Sequence, residues 1–462
     1  MVWRCNRGRY NMPPRIHRQR SAASSDGRTA PDGVTEALVR HGSLVGTHMI
    51  VERIGRIEDF QHLRTEWDGV YDSDPEAHFF LSWQWLAGAL DSYPGEWMVL
   101  VARGADGRCL GMLPLQVKTV WSQSRQRLRN ELHFAGRLFW ADYGGVLCLP
   151  DHEAEVLSAL ASQLKEMNWS QLVLKGLRIS DRRFHLFMEA LADDRLEVES
   201  MTSVINNGET DNLVCPYVEL PDTFETYLSE RLSSNTRQKT RRLLRKLEAA
   251  SEYTITTSSA ATRSRDVRIL ETLWHTMWHP LKGSDTPRLA AQYARIVTRG
   301  LEDDLVHLPV LWHGDAPVGV LASFIDWKKS RLLFFIGARD EAFRDVPVGL
   351  VLHMHNIRWA IEHNIKTYDL LRGNEPYKYS LGAVDVRLKY PLIGTESGIN
   401  LNGALDPSSV DEAIHLAQDL FTQNRTLEAM TSCHQVLTTA PGHEQAKTLL
   451  RGVVDVVLGA TP

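Results

Sequence analysis

Cysteine is scarce in this chain. The five present, Cys5, Cys109, Cys148, Cys215 and Cys433, are scattered over 462 residues with no CxxC spacing. An odd, dispersed set excludes a disulfide framework and a thiolate metal cluster, and it fits reduced, structural thiols in a cytoplasm. Long apolar runs are also missing. No stretch approaches the roughly 18 apolar residues that a membrane span needs, and the N-terminus lacks the apolar core of a secretory signal. A soluble, cytoplasmic protein is therefore expected. An excess of positive charge is lacking too: the net charge of −5 argues against a general nucleic-acid binder.

What is present is ordinary globular material, 43% hydrophobic and 24% charged, and long enough for two or three domains. Residues 1–48 stand apart. They carry eight arginines against three acids, Pro13-Pro14, and no apolar periodicity, which predicts a disordered basic extension. A basic arm or a transit peptide has the same composition; the plainer reading is an extension ahead of a start near Met49.

A first domain is expected over 50–215. It opens with helices at Ile57–Val70 and Trp83–Leu90, the second capped by Ser82. Strands Trp97–Ala102 and Cys109–Lys118 form a hairpin about Asp106-Gly107. Strands at Leu132–Phe134 and Val146–Leu149 lead to a helix at 151–167, a strand at Gln171–Gly176 and a helix from about 181. A second domain, 216–400, repeats this order: a long helix at 222–250, helices at 264–279 and 287–302, and a hairpin turned at His313-Gly314-Asp315. Strand, helix and strand follow. Matching element order predicts an internal duplication with a ligand cleft between the halves. After about 405 the pattern becomes helical pairs, with Ala413, Leu416, Leu420, Ala429 and Ala440-Pro441 spaced as in one tetratricopeptide repeat. Such a tail either caps the core or docks another protein.

The most informative stretch is 331–378. A buried strand, Leu332–Gly337, precedes a helix whose Leu350, Met354, Ile357 and Ile361 recur at helical spacing, and a second strand covers Thr367–Leu371. Strand, crossover helix and strand predict a parallel pairing. The helix starts after Asp345-Val346-Pro347-Val348-Gly349, where free N–H groups and a glycine make a seat for phosphate. On that helix His353, His355 and His363 invite a metal reading. The i, i+2 spacing of His353 and His355 puts them on different faces, so structural or surface roles are expected and no metal site.

Several motifs together carry a family resemblance. They are Phe80-Leu81-Ser82-Trp83-Gln84-Trp85-Leu86, Leu113-Pro114-Leu115, Ser233-Ser234-Asn235-Thr236-Arg237 through Arg245-Lys246-Leu247-Glu248, Val346-Pro347-Val348-Gly349, and Asp369-Leu370-Leu371-Arg372-Gly373-Asn374-Glu375-Pro376-Tyr377-Lys378. With these the chain resembles the GNAT-like acyltransferases of the CelD/BcsL type, named for cellulose biosynthesis and related in fold to the FemAB peptidyltransferases. The resemblance implies an α/β (α+β) fold of tandem GNAT-like domains, with a small C-terminal helical tail outside it. It implies acyl-CoA, chiefly acetyl-CoA, as co-substrate, no tightly bound cofactor, and an amine or hydroxyl acceptor of exopolysaccharide or lipid assembly. Carried onto this chain, the cradle is Arg344, Val346, Val348, Gly349 and Leu350, with one glycine and Pro347 where the usual phosphate loop has two small residues.

Acyl transfer from a thioester needs a neutral nucleophile, donors for the oxyanion and a proton for the thiolate. Tyr377 is the candidate proton donor, with Lys378 beside it as a cation. Asp369 and Glu375 are candidate bases; the plain alternatives are a pair of Asp369 with Arg372 and simple solvation of Glu375. Arg372 and Asn374 are candidate acceptor contacts. The stretch 231–246 holds seven cations and no acid, so Arg237, Arg241 and Arg242 are expected to flank the cleft and attract a phosphorylated ligand, the alternative being a solvated face. Two other functions remain open: a FemAB-like aminoacyl-tRNA-dependent ligase, and a non-catalytic scaffold binding through the tail.

Overall fold

The computed structural model describes residues 49–136 and 141–458. The expected disordered extension, 1–48, lies outside the described residues. The first half supplies strands β1 (Ile50–Ile54), β2 (Trp97–Arg103), β3 (Cys109–Ser122), β4 (Arg127–Phe134), β5 (Leu147–Cys148), β6 (Gln171–Val173) and β7 (Leu196–Ser200). A short ribbon follows, β8 (Val204–Ile205) with β9 (Thr210–Asp211). Next come β10 (Val214–Glu219), β11 (Tyr253–Thr257), β12 (Val306–His307), β13 (Pro309–His313), β14 (Ala316–Asp326), β15 (Arg331–Arg339), β16 (Thr367–Asp369), β17 (Val384–Arg387) and β18 (Pro391–Thr395).

These strands form two eight-stranded sheets. One runs β1-β2-β3-β4-β6-β18-β7 with β5 beside β3; the other runs β11-β13-β14-β15-β16-β10-β17 with β12 beside β14. Position by position the two agree. Each is antiparallel except at one pair, β4 with β6 and β15 with β16. The duplication expected from element order is thus present as a repeated topology. The first sheet also borrows a strand: β18, within 216–400, sits between β6 and β7, whereas the matching place in the second sheet, between β16 and β17, is taken by β10 at the start of the second half.

The helices that matter to the site follow local rules. Ser82 accepts a hydrogen bond from the Trp85 amide and starts α1 (Trp83–Asp91). In the first half α2 (Glu153–Glu166) and α3 (Asp181–Leu191) cover the sheet. The long helix expected at 222–250 is two: Phe224–Glu230 and α4 (Ser234–Ala249). Ser233 leaves the helical region (ψ 153) and caps the second piece through the Thr236 amide. The helices α5 (Arg263–Lys282) and α6 (Thr286–Glu302) pack on the second sheet through Val267, Leu270, Trp274, Ala290, Ala294 and Val297, all buried. Between β15 and β16 runs α7 (Val348–Glu362), which buries Val351, Met354, Ile357 and Ile361. After β16 comes one short turn, α8 (Pro376–Tyr379).

The tail, α9 (Val410–Thr422), α10 (Thr426–Thr439) and α11 (Glu444–Val457), is held on the first sheet. Gln435 bonds both backbone groups of Leu128, at 2.8 and 3.0 Å, and Glu412 accepts from the Thr119 amide at 2.8 Å. The two sheets share one apolar core, with Phe79 stacked on Phe324 at 4.7 Å between them. Cys109, Cys148, Cys215 and Cys433 are buried and unpaired. No described helix is long and apolar enough to cross a membrane.

Candidate active site

β15 pairs with β16 over three residues only, Arg331–Leu333 with Thr367–Asp369. Beyond them β15 continues to Arg339 while the chain after Asp369 turns away. The β16 side of Phe334–Arg339 is therefore an open strand edge, with unpaired backbone groups. A bulge lies at the point of separation. Ala322 faces Ile336 and Ser323 faces Phe334, so Phe335 is the extra residue.

Two clefts meet at this opening. The smaller, about 410 Å³, is lined by Phe334, Gly337, Val348, Gly349, His353 and Tyr377 among others. The larger, about 770 Å³, lies between the halves against Asp142, Trp274, Trp278, Arg372, Tyr377 and Tyr390. Trp278, Phe334, Gly337 and Tyr377 belong to both. Tyr377 stands at the junction.

The start of α7 faces the smaller cleft. The Val348 amide bonds the Val346 carbonyl at 2.9 Å and the Val351 amide bonds Pro347 at 3.1 Å, whereas the Gly349 and Leu350 amides take no backbone acceptor among the described residues. A methyl group added at Gly349 would meet nothing within 4 Å, so the space over this turn is open. Val348, Gly349 and Leu350 line the cleft as the cradle reading requires. Arg344 and Val346 do not: Arg344 is exposed on the preceding loop and Val346 is buried in the core.

The loop from Asp369 to Lys378 is rigidly held, which reassigns most of its polar groups. Leu371 has φ +56 and Gly373 φ +97, a strained path for the former. Lys378 is 1% exposed and donates to the carbonyls of Arg372 and Gly373 at 2.7 and 2.9 Å, clamping that path. It also ion-pairs with the buried Glu375 at 3.1 Å, off hydrogen-bond geometry. Lys378 thus has no charge to spare for a substrate phosphate, and Glu375 is buried rather than solvated. Asp369 accepts from the Tyr143 hydroxyl (2.6 Å), Arg178 (2.9 Å) and the Leu371 amide (3.0 Å). With those partners it anchors the loop to the first half and is not placed as a base. Its partner is not Arg372, which pairs with Asp142. Asn374 accepts from the Asp211 amide at 2.8 Å and fixes the ribbon, whose Val204 and Ile205 line the larger cleft, while Asn374 itself lines neither.

None of Arg237, Arg241 and Arg242 lines either cleft. Arg237 donates to the Ser229 carbonyl, Arg241 pairs with Glu225, and Arg242 is exposed. From this helix only Lys246 reaches the site, donating to the Asp345 carbonyl at 3.2 Å just before α7. Exposed charges of this kind are screened within about 8–10 Å at physiological salt. The double variant Arg241→Glu, Arg242→Glu is accordingly expected to leave donor and acceptor KM within about twofold at 0.15 M salt, as steady-state kinetics would show.

Tyr377 and His353 both line the smaller cleft. Burial first, and the Glu375 charge second, hold the Tyr377 phenol well above its ordinary pKa of 10, so it keeps its proton. His353 lies beside it, ring centroids 5.8 Å apart, and bonds Tyr368 through Nδ1 at 2.8 Å. The sequence reading gave His353 no role. The available signal was its position four residues after Gly349, on the same face of α7. Asp142, Tyr143 and Arg178, which brace the loop from the first half, had no signal in local sequence. No group of three or more His, Cys, Asp or Glu that could hold a metal occurs among the described residues.

The first half has the corresponding parallel pair, β4 and β6, joined over three residues, but a filled helix start. Acids Asp151, Glu153 and Glu155 stand at the beginning of α2. Arg183, 1% exposed, bonds Asp74 twice at 3.0 Å and Glu153 at 3.1 Å there. Carboxylates at a helix N-terminus occupy the position an anion would take.

Residues 234–379 match the family model of the acetyltransferase (GNAT) domain. No curated protein matches the chain. Among solved structures it is similar to FemX, at 12% identity over 74% of this chain and 97% of that one, TM-score 0.45. It is also similar to a tandem GNAT protein of the clavulanic acid biosynthesis pathway (11%, 75% and 98%, TM-score 0.40) and to L-PGS of Bacillus licheniformis (11%, 72% and 91%, TM-score 0.40). The open strand edge, the start of α7 and Tyr377 all lie within the stretch that matches the acetyltransferase (GNAT) domain model.

Proposed function

We propose that the protein transfers an acyl group from acyl-CoA to an amine or hydroxyl of an acceptor entering the larger cleft. One observation carries this: the open edge of β15 and the unpaired amides at Gly349 and Leu350 border the same cleft, which ends at Tyr377. An extended amide-bearing arm pairs with a free strand edge as an added strand does. Its pyrophosphate takes the helix start. The acceptor then approaches from the other side of Tyr377, whose protonated phenol serves the departing thiolate. The family resemblance points to a glycan- or lipid-related acceptor, and the aromatic wall of Trp274, Trp278 and Tyr390 suits one with an apolar face.

An aminoacyl-tRNA donor fits less well. The paired helices α5 and α6 are packed on the second sheet rather than projecting as an arm, and the basic face of α4 lies outside both clefts. Calorimetry with CoA and acetyl-CoA decides between the donors: micromolar binding supports the proposal, and no binding at millimolar concentration ends it. A sharper test is Gly349→Val. The added side chain projects into open space, so the melting temperature is expected to stay unchanged. CoA affinity should fall at least about tenfold, or ~1.4 kcal/mol. Unchanged affinity would place the pyrophosphate elsewhere.

A further inference from the structure

His353 sits one turn beyond the Gly349 cradle and lines the same cleft. Phe334 packs edge-on against its ring at 4.8 Å, and Tyr377 lies on its other side. Nδ1 is taken by the Tyr368 hydroxyl at 2.8 Å. Nε2 has no protein partner among the described residues, and unlike the histidine nitrogens that are both buried and unpartnered it retains access to the cleft.

The direction of the Tyr368 bond follows from its burial: Tyr368 is fully buried, and Nδ1 of His353 is the one partner at hydrogen-bond geometry that its hydroxyl has among the described residues. A buried hydroxyl proton needs an acceptor, so Tyr368 donates, Nδ1 accepts, and the ring hydrogen is on Nε2. Burial, with the Lys378 charge second, pushes the His353 pKa down to about 3. The ring is therefore neutral at every working pH.

From this geometry we infer that His353 is a neutral Nε2–H donor to a carbonyl oxygen of the thioester-bearing arm, its tautomer set by the buried Tyr368 hydroxyl. The inference rests on the acyl-CoA reading. A neutral donor suits such an oxygen: it strengthens as negative charge builds there, and it brings no proton that could protonate an attacking amine. Tyr368 acts through His353 and is a positioning residue.

The test combines tautomer and kinetics. In protein labelled with 15N-histidine, His353 should show a protonated Nε2 and a bare Nδ1, without titration between about pH 5 and 8, and adding CoA should shift the Nε2 signal. His353→Phe should lower kcat/KM for acyl-CoA by about tenfold or more, and His353→Gln, which keeps an N–H donor, should stay within about threefold of the parent. Acceptor KM should not move. A protonated Nδ1, an Nε2 signal indifferent to bound CoA, or a phenylalanine variant of unchanged kcat/KM overturns the assignment. If the parent protein binds no CoA, it is the acyl-CoA reading that fails, while the tautomer measurement still stands.

Discussion

Tyr377→Phe is expected to lower kcat by about 100- to 1,000-fold at saturating acceptor, with little change in the KM for acyl-CoA. The substitution removes one oxygen and keeps the ring in place beside His353 and Phe334, so packing is preserved. On the proposed function, what is lost is the proton for the departing thiolate. Because burial and the Glu375 charge raise the phenol pKa well above 10, the donor is fully protonated across the physiological range. The parent enzyme should consequently show no alkaline loss of activity from this group below about pH 10. Steady-state kinetics with matched melting temperatures check the point. A variant with full activity would remove Tyr377 from the chemistry.

The second large effect is on stability. Arg183→Leu is expected to cost about 3–5 kcal/mol, because it leaves Asp74 and Glu153 buried without their cation. Burial works against the Arg183 charge, but hydrogen bonds and charge from Asp74 outweigh it and hold the guanidinium protonated. Asp74 also receives the Cys148 amide at 3.0 Å, and its carbonyl takes Lys329 of the second half at 2.8 Å. Loss of the cluster should therefore loosen the contact between halves as well as the first sheet. Urea unfolding of parent and variant measures the difference. A loss below about 1 kcal/mol would mean that water or a neighbouring cation replaces the guanidinium.

Set side by side, the two predictions describe a division of labour. The second half has an open helix start with Gly349, and the first has one filled by carboxylates and Arg183. The first half nevertheless shapes the site, since Tyr143 and Arg178 hold Asp369 and Asp142 holds Arg372. The loop that presents Tyr377 is thus braced from across the interface.

Local chemistry was readable from the chain. Hairpins at Gly107 and Gly314 need positive φ, which both residues adopt, and Ser82 caps α1 as its place before an apolar run implies. The periodicity of 350–361 marks α7, and Gly349 stands at its start, in the turn proposed as the phosphate seat. Such signals are carried by residues within one or two turns of each other, so short windows contain them. Long-range partners leave no such trace. Asp369 and Arg372 are bound by residues about 190 to 230 positions away, β18 enters the sheet of the opposite half, and the strand expected to reach Leu371 stops at Asp369 because the Lys378 clamp holds the next turn in a left-handed path. The sequence by itself determined the hairpins, the periodicity of α7 and the repeated order of most elements, because each is a property of neighbouring residues. Only the tertiary structure decided which charged groups are consumed in bracing the loop, and that Tyr377 and His353 are the ones left facing the cleft, because burial and pairing between distant segments set what each side chain has free to offer a ligand.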